Sequence, residues 1–153
     1  LWDEGEPRRA FEKAINGAKK VAMSLSDLFC VERHKQSFLN LVKKKLDLTF
    51  ANENEIMALI NDKNFNEVIV FAKEINKHIV ITRGEKGAIS IIGNEITEIK
   101  ASKNLKIKDL TGAGDLFAAG YLHGFINNLS VRNCLELGTK LSSKVIQQIG
   151  ARL

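Results

Sequence analysis

The chain has 153 residues, 44% of them hydrophobic, and its 23 Lys plus Arg against 18 Asp plus Glu leave a net charge of +5. That length and composition suit one buried core, so a single domain over the whole chain is expected. Scattered lysines with a single Tyr and a single Trp argue against a nucleic-acid surface, and the apolar run Leu116 to Ile126 is too short to span a membrane and contains His123. Cys30 and Cys134 lie far apart and have no metal-ligand spacing with His34, His78 or His123. A reduced cytoplasmic protein without a metal–thiolate site is the expectation.

In chain order, Glu6-Pro7 opens a helix with proline in its first turn, and Phe11, Ala14, Ile15, Ala18 and Val21 recur at helical spacing. Val21 to Leu25 is short and mostly apolar, fit for a buried parallel strand. Ser26 to Cys30 is then the loop at its carboxyl end, where open α/β sheets bind ligands. Val31 to Leu46 is helical, with Lys43, Lys44 and Lys45 as its solvated last turn. Asp47 to Ala51 is a second strand. It leads into Asn52-Glu53-Asn54-Glu55, a capping box of Asn with Glu three residues later, ahead of a helix from Ile56.

Asn64 to Lys77 is the next helix, and His78 to Thr82 is a nearly all-apolar third strand. Arg83 to Gly87 is a tight turn from which Ala88 to Ile92 returns as a fourth strand. Gly93-Asn94 turns again into Ile96 to Ala101, an alternating antiparallel strand. Leu105 to Lys108 also alternates as a half-buried strand does. Ala118, Ala119, Gly120 and Gly124 give the following helix a small-residue side for a close neighbour, so His123 on it is read as structural. Ser130 caps a last helix whose Leu135, Leu137, Leu141, Val145 and Ile146 face inward. Strands alternating with helices imply an α/β fold with a mostly parallel sheet and a β-hairpin at one edge.

Asp109-Leu110-Thr111-Gly112-Ala113-Gly114-Asp115 organises the rest. A tight glycine turn there opens the apolar helix from Leu116. Gly112 and Gly114 allow positive φ and close approach of an anion, and unpaired N–H groups at a helix start favour negative charge. The N–H groups of Gly112, Ala113 and Gly114 thus form a candidate phosphate or oxyanion cradle, with Asp115 just inside it. It is not a Walker A loop, which needs Lys-Ser or Lys-Thr, nor a dinucleotide fingerprint, because Phe117 stands three residues after Gly114. The bland alternative is a loop that uses glycine for geometry and Asp115 as an ordinary first-turn acid.

The wording Asp-Leu-Thr-Gly-Ala-Gly-Asp-Leu-Phe-Ala-Ala-Gly closely resembles the second signature of the ribokinase-type (PfkB) carbohydrate kinase family, with Leu110 in place of the commoner threonine. The resemblance implies a ribokinase-like three-layer α/β/α fold. It also implies that Asp115 is the catalytic base, contacting the acceptor, and that Gly112, Ala113 and Gly114 are the anion hole, with Thr111 beside the nucleotide. The family's Thr-x-Gly-x-x-Gly turn, which borders the nucleotide phosphates, falls on Thr82, Gly84 and Gly87, with Arg83 where an apolar residue is more usual. Its Asn-x-x-Glu falls on Asn52 and Glu55, which by resemblance organise Mg²⁺ through water and reach the phosphates of ATP.

Ser142, Ser143 and Ile146 match the lining of an adenine pocket by the same analogy. Asp109, with backbone carbonyls of the closing Gly150-Ala151-Arg152 turn, corresponds to a monovalent-cation site suited to K⁺. Leu25-Ser26-Asp27-Leu28-Phe29 resembles the adenosine kinase branch most. There the phenylalanine lines the nucleoside pocket, so Phe29 is an acceptor-site candidate, although Leu28 stands where that branch has proline. The resemblance covers the chain in the order of the family's carboxyl half, so a partial domain is expected, lacking the amino-terminal half and the lid through which relatives often dimerise. The implied activity is an ATP-dependent kinase acting on a hydroxymethyl group of a small molecule, adenosine or a sugar such as ribose or fructose. A nucleotide-binding fragment without turnover stays open beside it.

Overall fold

The computed structural model describes residues 3–153. Its elements run α1 (Glu6–Gly17), β1 (Ala22–Ser24), α2 (Leu28–Arg33), α3 (Lys35–Lys44), β2 (Leu48–Asn52), α4 (Glu53–Ile60), α5 (Phe65–Ile75), β3 (His78–Thr82), β4 (Ala88–Ile92), β5 (Glu95–Ile99), α6 (Ala113–Ile126) and α7 (Val131–Val145). The five strands lie in the order β1-β2-β3-β4-β5, with β1 parallel to β2, so the expected α/β architecture with a mostly parallel mixed sheet is what forms. The chain divides into two compact units, Leu1–Ile79 with Ile92–Asn94 and Val80–Ile91 with Glu95–Leu153. Among the described residues no helix is long and apolar enough to cross a membrane.

In the first unit, α1 ends at Gly17, short of the Val21 that helical spacing suggests. Ala18 is already extended, and Val21 belongs to the sheet side: its N–H donates to Asp47 Oδ2 at 2.7 Å and its carbonyl accepts the N–H groups of Asp47 and Leu48. Sheet pairing outweighs one more helical turn because it satisfies these backbone groups together. Ala22, Met23 and Ser24 register with Leu48, Thr49 and Phe50, and the fully buried Leu25 follows with its N–H on the Phe50 carbonyl.

The expected loop Ser26 to Cys30 turns helical after two residues. The Asp27 side chain accepts the Cys30 N–H at 2.7 Å and starts α2, which puts Phe29 on a helix. The single helix expected from Val31 to Leu46 breaks at His34, whose φ of −116° and ψ of 27° serve as the end of α2 and the start of α3. Helix α4 packs on β2, α2 and α5, and α5 stops at Asn76 in the left-handed region, before Lys77.

In the second unit, the turn between β3 and β4 is a 3₁₀ segment, Gly84–Lys86, closed by the Arg83 N–H on the Gly87 carbonyl at 2.8 Å. Gly87 has φ +101°, and a Cβ there would lie 2.0 Å from the Ile99 carbonyl oxygen, so no other residue fits. The strand expected at Leu105 to Lys108 does not form. Ile107 is 57% exposed, and the N–H groups of Lys108 and Asp109 both point to the Ile146 carbonyl, at 2.8 and 3.3 Å. Alternation there marks a segment tied to the end of α7, not a ladder.

Helices α6 and α7 pack backbone to backbone. A Cβ on Gly120 would meet the Leu137 carbonyl at 2.8 Å, and one on Gly138 the Phe117 carbonyl at 2.7 Å. The small-residue side of α6 therefore has its answering glycine on α7. Behind the contact, the buried Tyr121 hydroxyl lies 3.3 Å from Ser90 Oγ on β4. Burial pushes Tyr121 up to about 12, which keeps that hydroxyl neutral.

Candidate active site

Gly112 takes φ +79° and precedes α6, so the chain enters the helix through a left-handed residue. A Cβ at Gly112 would come 2.8 Å from Ala151 Cβ, which seats the closing turn against this entry. At Gly114 a Cβ would meet nothing within 4 Å, so the helix start is open on that side. The cradle differs from expectation in one member. The Ala113 N–H closes a turn on the Leu110 carbonyl at 3.2 Å and is not offered outward, whereas among the described residues the N–H groups of Gly112, Gly114 and Asp115 have no protein acceptor. The correction follows from the turn itself: the left-handed residue folds the next N–H back onto the chain. Asp115 stands exposed in the first turn of α6, next in sequence to Gly114.

Asp109 and Thr111 frame the entry. Asp109 Oδ1 accepts the Thr111 N–H at 2.9 Å and the Thr111 hydroxyl at 2.6 Å, while Oδ2 accepts the Gly150 N–H at 2.9 Å. The Thr111 hydroxyl and these two N–H groups hold the Asp109 carboxyl down at about 2. With two donors on Oδ1 and one on Oδ2, the carboxylate has a lone pair on Oδ2 left to give a cation, so a K⁺ ligand role fits that single oxygen. Gly150 has φ +92°, as a closing turn that aims its N–H inward requires.

A cavity of about 570 Å³ lies in the same unit. Thr82, Gly84 and Gly87 of the glycine turn line it together with Ala113 and Gly114, and Ser142, Ser143 and Ile146 of the α7 end form another wall. One cavity thus joins the turn, the helix start and the three residues matched to an adenine pocket. Ser102, Asn104 and Thr139 also line it. They carry no sequence motif, and only the tertiary fold brings them in.

In the first unit, Asn52 and Glu55 make the reciprocal capping box. Asn52 Oδ1 accepts the Glu55 N–H at 2.8 Å, and Glu55 Oε2 and Oε1 accept the Asn52 N–H at 2.9 Å and its Nδ2 at 2.7 Å. Glu55 is 5% exposed, and burial raises its pKa, with the Asp27 carboxylate pushing the same way. Asp27 stands at the variable position of the Leu25–Phe29 motif, just past a strand, the usual address for such a group. Glu55 is buried with both oxygens turned to Asn52, so the pair fits an ion through bridging water better than by direct ligation. Among the described residues no cluster of three or more His, Cys, Asp or Glu is arranged to hold a metal directly. Phe29 is 66% exposed on the first turn of α2, with the Arg33 guanidinium 4.4 Å from its ring centre.

The solved structure of adenosine kinase from Sinorhizobium meliloti superposes at a TM-score of 0.95, with 35% identity over 100% of this chain and 48% of that one. A probable sugar kinase from Rhizobium etli CFN 42 gives 0.94 and 35% identity over 99% of this chain and 48% of its own. The curated ribokinase of Lactococcus lactis subsp. lactis is 31% identical over 107 residues, 70% of this chain and 34% of that protein. The chain spans half or less of the length of each of these relatives. The model of the pfkB family carbohydrate kinases matches residues 7–153, and the chain belongs to that family.

Proposed function

We propose that this chain supplies the nucleotide and phosphoryl-transfer side of an ATP-dependent kinase that phosphorylates a hydroxymethyl group, with adenosine as the acceptor. The observation that carries the reading is the single cavity that the Thr82–Gly87 turn and Gly114 share with Ser142, Ser143 and Ile146 at one open helix start. The unpaired N–H groups of Gly112, Gly114 and Asp115 suit charge developing on transferring phosphoryl oxygens, and preorganised donors of this kind usually lower the barrier more than any other single effect. Asp115 orients the acceptor hydroxyl and takes its proton. A carboxylate suffices, because in a loose phosphoryl transition state the proton leaves late and positioning contributes most. Asn52 and Glu55 are the residues that would hold a Mg²⁺ ion through water, and such an ion would supply neutralisation of phosphate charge.

The S. meliloti adenosine kinase and the R. etli probable sugar kinase share the same identity with this chain, which favours a sugar acceptor as the second reading. Labelled γ-phosphate transfer from ATP to adenosine, ribose and fructose by the complete gene product separates the two. Asp115→Asn is expected to lower turnover at least about 10²-fold while ATP still binds. An unchanged rate sinks the assigned base.

A further inference from the structure

If this cavity is the donor-nucleotide site, as proposed above, its lining also decides which base it takes. Its neutral polar side chains are Thr82, Ser102, Asn104, Thr139, Ser142 and Ser143. Among the described residues, Glu85 on the Gly84–Lys86 turn is the one charged side chain that lines it. Ser143 Oγ donates to Ser102 Oγ at 2.9 Å, a pair that ties α7 to the segment after β5 and stays open to solvent.

A hydroxyl carries one donor and two acceptor positions and rotates freely. While Ser143 donates to Ser102, the Ser102 hydrogen is free to point into the cavity. With the pair reversed, the Ser143 hydrogen is free instead. In both arrangements the pair offers a donor and an acceptor at nearly the same place. Adenine presents an amino donor where guanine presents a carbonyl acceptor. A fixed carboxylate or amide would reject one of them, but a reversible hydroxyl pair satisfies either. Because the pair is exposed, water covers whatever hydrogen bond is missing, and the large penalty that a buried unpaired group imposes on the wrong substrate does not arise.

We propose that the Ser102–Ser143 pair makes this site permissive for the donor base, so that ATP and GTP are accepted alike. The test is displacement of a fluorescent ATP analogue from the complete gene product by ATP, GTP and ITP, followed by kcat/KM with ATP and GTP. Expected are Kd and kcat/KM values for the two within about 10-fold of each other. A preference of 100-fold or more for ATP overturns the proposal and leaves the nucleotide site standing, whereas failure of every triphosphate to displace the analogue overturns both. Ser143→Asp, which fixes an acceptor at the pair, is expected to shift the GTP-to-ATP ratio at least 10-fold toward ATP. Glu85→Gln is expected to leave the ratio within 3-fold. An unmoved ratio in the first variant, or a tenfold change in the second, assigns base reading elsewhere and overturns the role of the pair.

Discussion

Asp109 Oδ2 accepts the Gly150 N–H at 2.9 Å, joining residues 41 positions apart and seating the closing turn against the entry to α6. The same carboxylate grips Thr111 through its other oxygen, so one half-buried side chain positions both ends of the candidate phosphate loop. Asp109→Ala is expected to remove exchange protection at the Gly150 amide and to weaken ATP binding about tenfold, with little change in melting temperature. The pH dependence has a fixed sign. The folded-state pKa is depressed from 3.8 to about 2, so the latch is intact above pH 3.8 and is lost as the pH falls through about 2. Amide chemical shifts of Gly150 across that range check it, and a midpoint near 4 contradicts the assignment.

Gly112 and Gly114 separate fold from chemistry. At Gly112 an added Cβ meets Ala151 at 2.8 Å and the backbone sits at φ +79°, so Gly112→Ala should destabilise by roughly 1–3 kcal/mol and reduce turnover together. At Gly114 nothing lies within 4 Å and the residue is helical, so Gly114→Ala should keep or slightly raise stability, by up to about 1 kcal/mol. Its methyl group stands where an anion would approach, and turnover is expected to fall at least tenfold. Thermal melts read beside kcat/KM distinguish the two, and a Gly114→Ala enzyme of full activity removes the helix start from the phosphate path.

What is legible in the sequence follows from local chemistry. The Asn52–Glu55 box, the Ser130 cap and strands β3 and β4 lie where capping and apolar runs put them, because each is fixed by neighbours a few residues away. Sequence pattern and structure part where tertiary pairing or turn geometry decides. Val21 leaves its helical pattern for Asp47, Leu105 to Lys108 answers to Ile146, and Ala113 turns its N–H to Leu110. Of the candidate site, the glycines and Asp115 are legible from the signature, while Ser102, Asn104 and Thr139 enter the cavity from segments without a motif.

His78, buried at the start of β3, is held at about 4 by desolvation, well below its usual 6.5. The unfolded chain therefore binds an extra proton between those values. Stability from this residue is full above pH 6.5 and is lost as the pH falls toward 4, by up to roughly 3 kcal/mol. Urea titrations at pH 7.5 and 5 should show the loss, and a His78→Phe chain should show much less of it. Equal slopes in both chains would place the acid sensitivity elsewhere.

Glu55 works with the opposite sign. Burial raises its pKa above 4.5, so folding favours the protonated acid and Glu55 makes the fold less stable as the pH climbs through the raised value. Glu55→Gln removes that dependence. It also replaces one accepting oxygen with an amino group facing the Asn52 donors, so about 1 kcal/mol of the cap is expected to go at low pH and less than that near neutrality, where the wild-type charge is itself unfavourable. If the pair holds Mg²⁺ through water, the same variant should raise the Mg²⁺ concentration needed for half-maximal turnover by about 10-fold or more, the usual size of an outer-shell loss. Asn52→Asp keeps an acceptor for the Glu55 N–H but loses the Nδ2 donor to Glu55 Oε1 and sets two carboxylates against each other, so it should raise the Glu55 pKa further. A Glu55→Gln enzyme with a normal Mg²⁺ response would reduce the motif to its capping box.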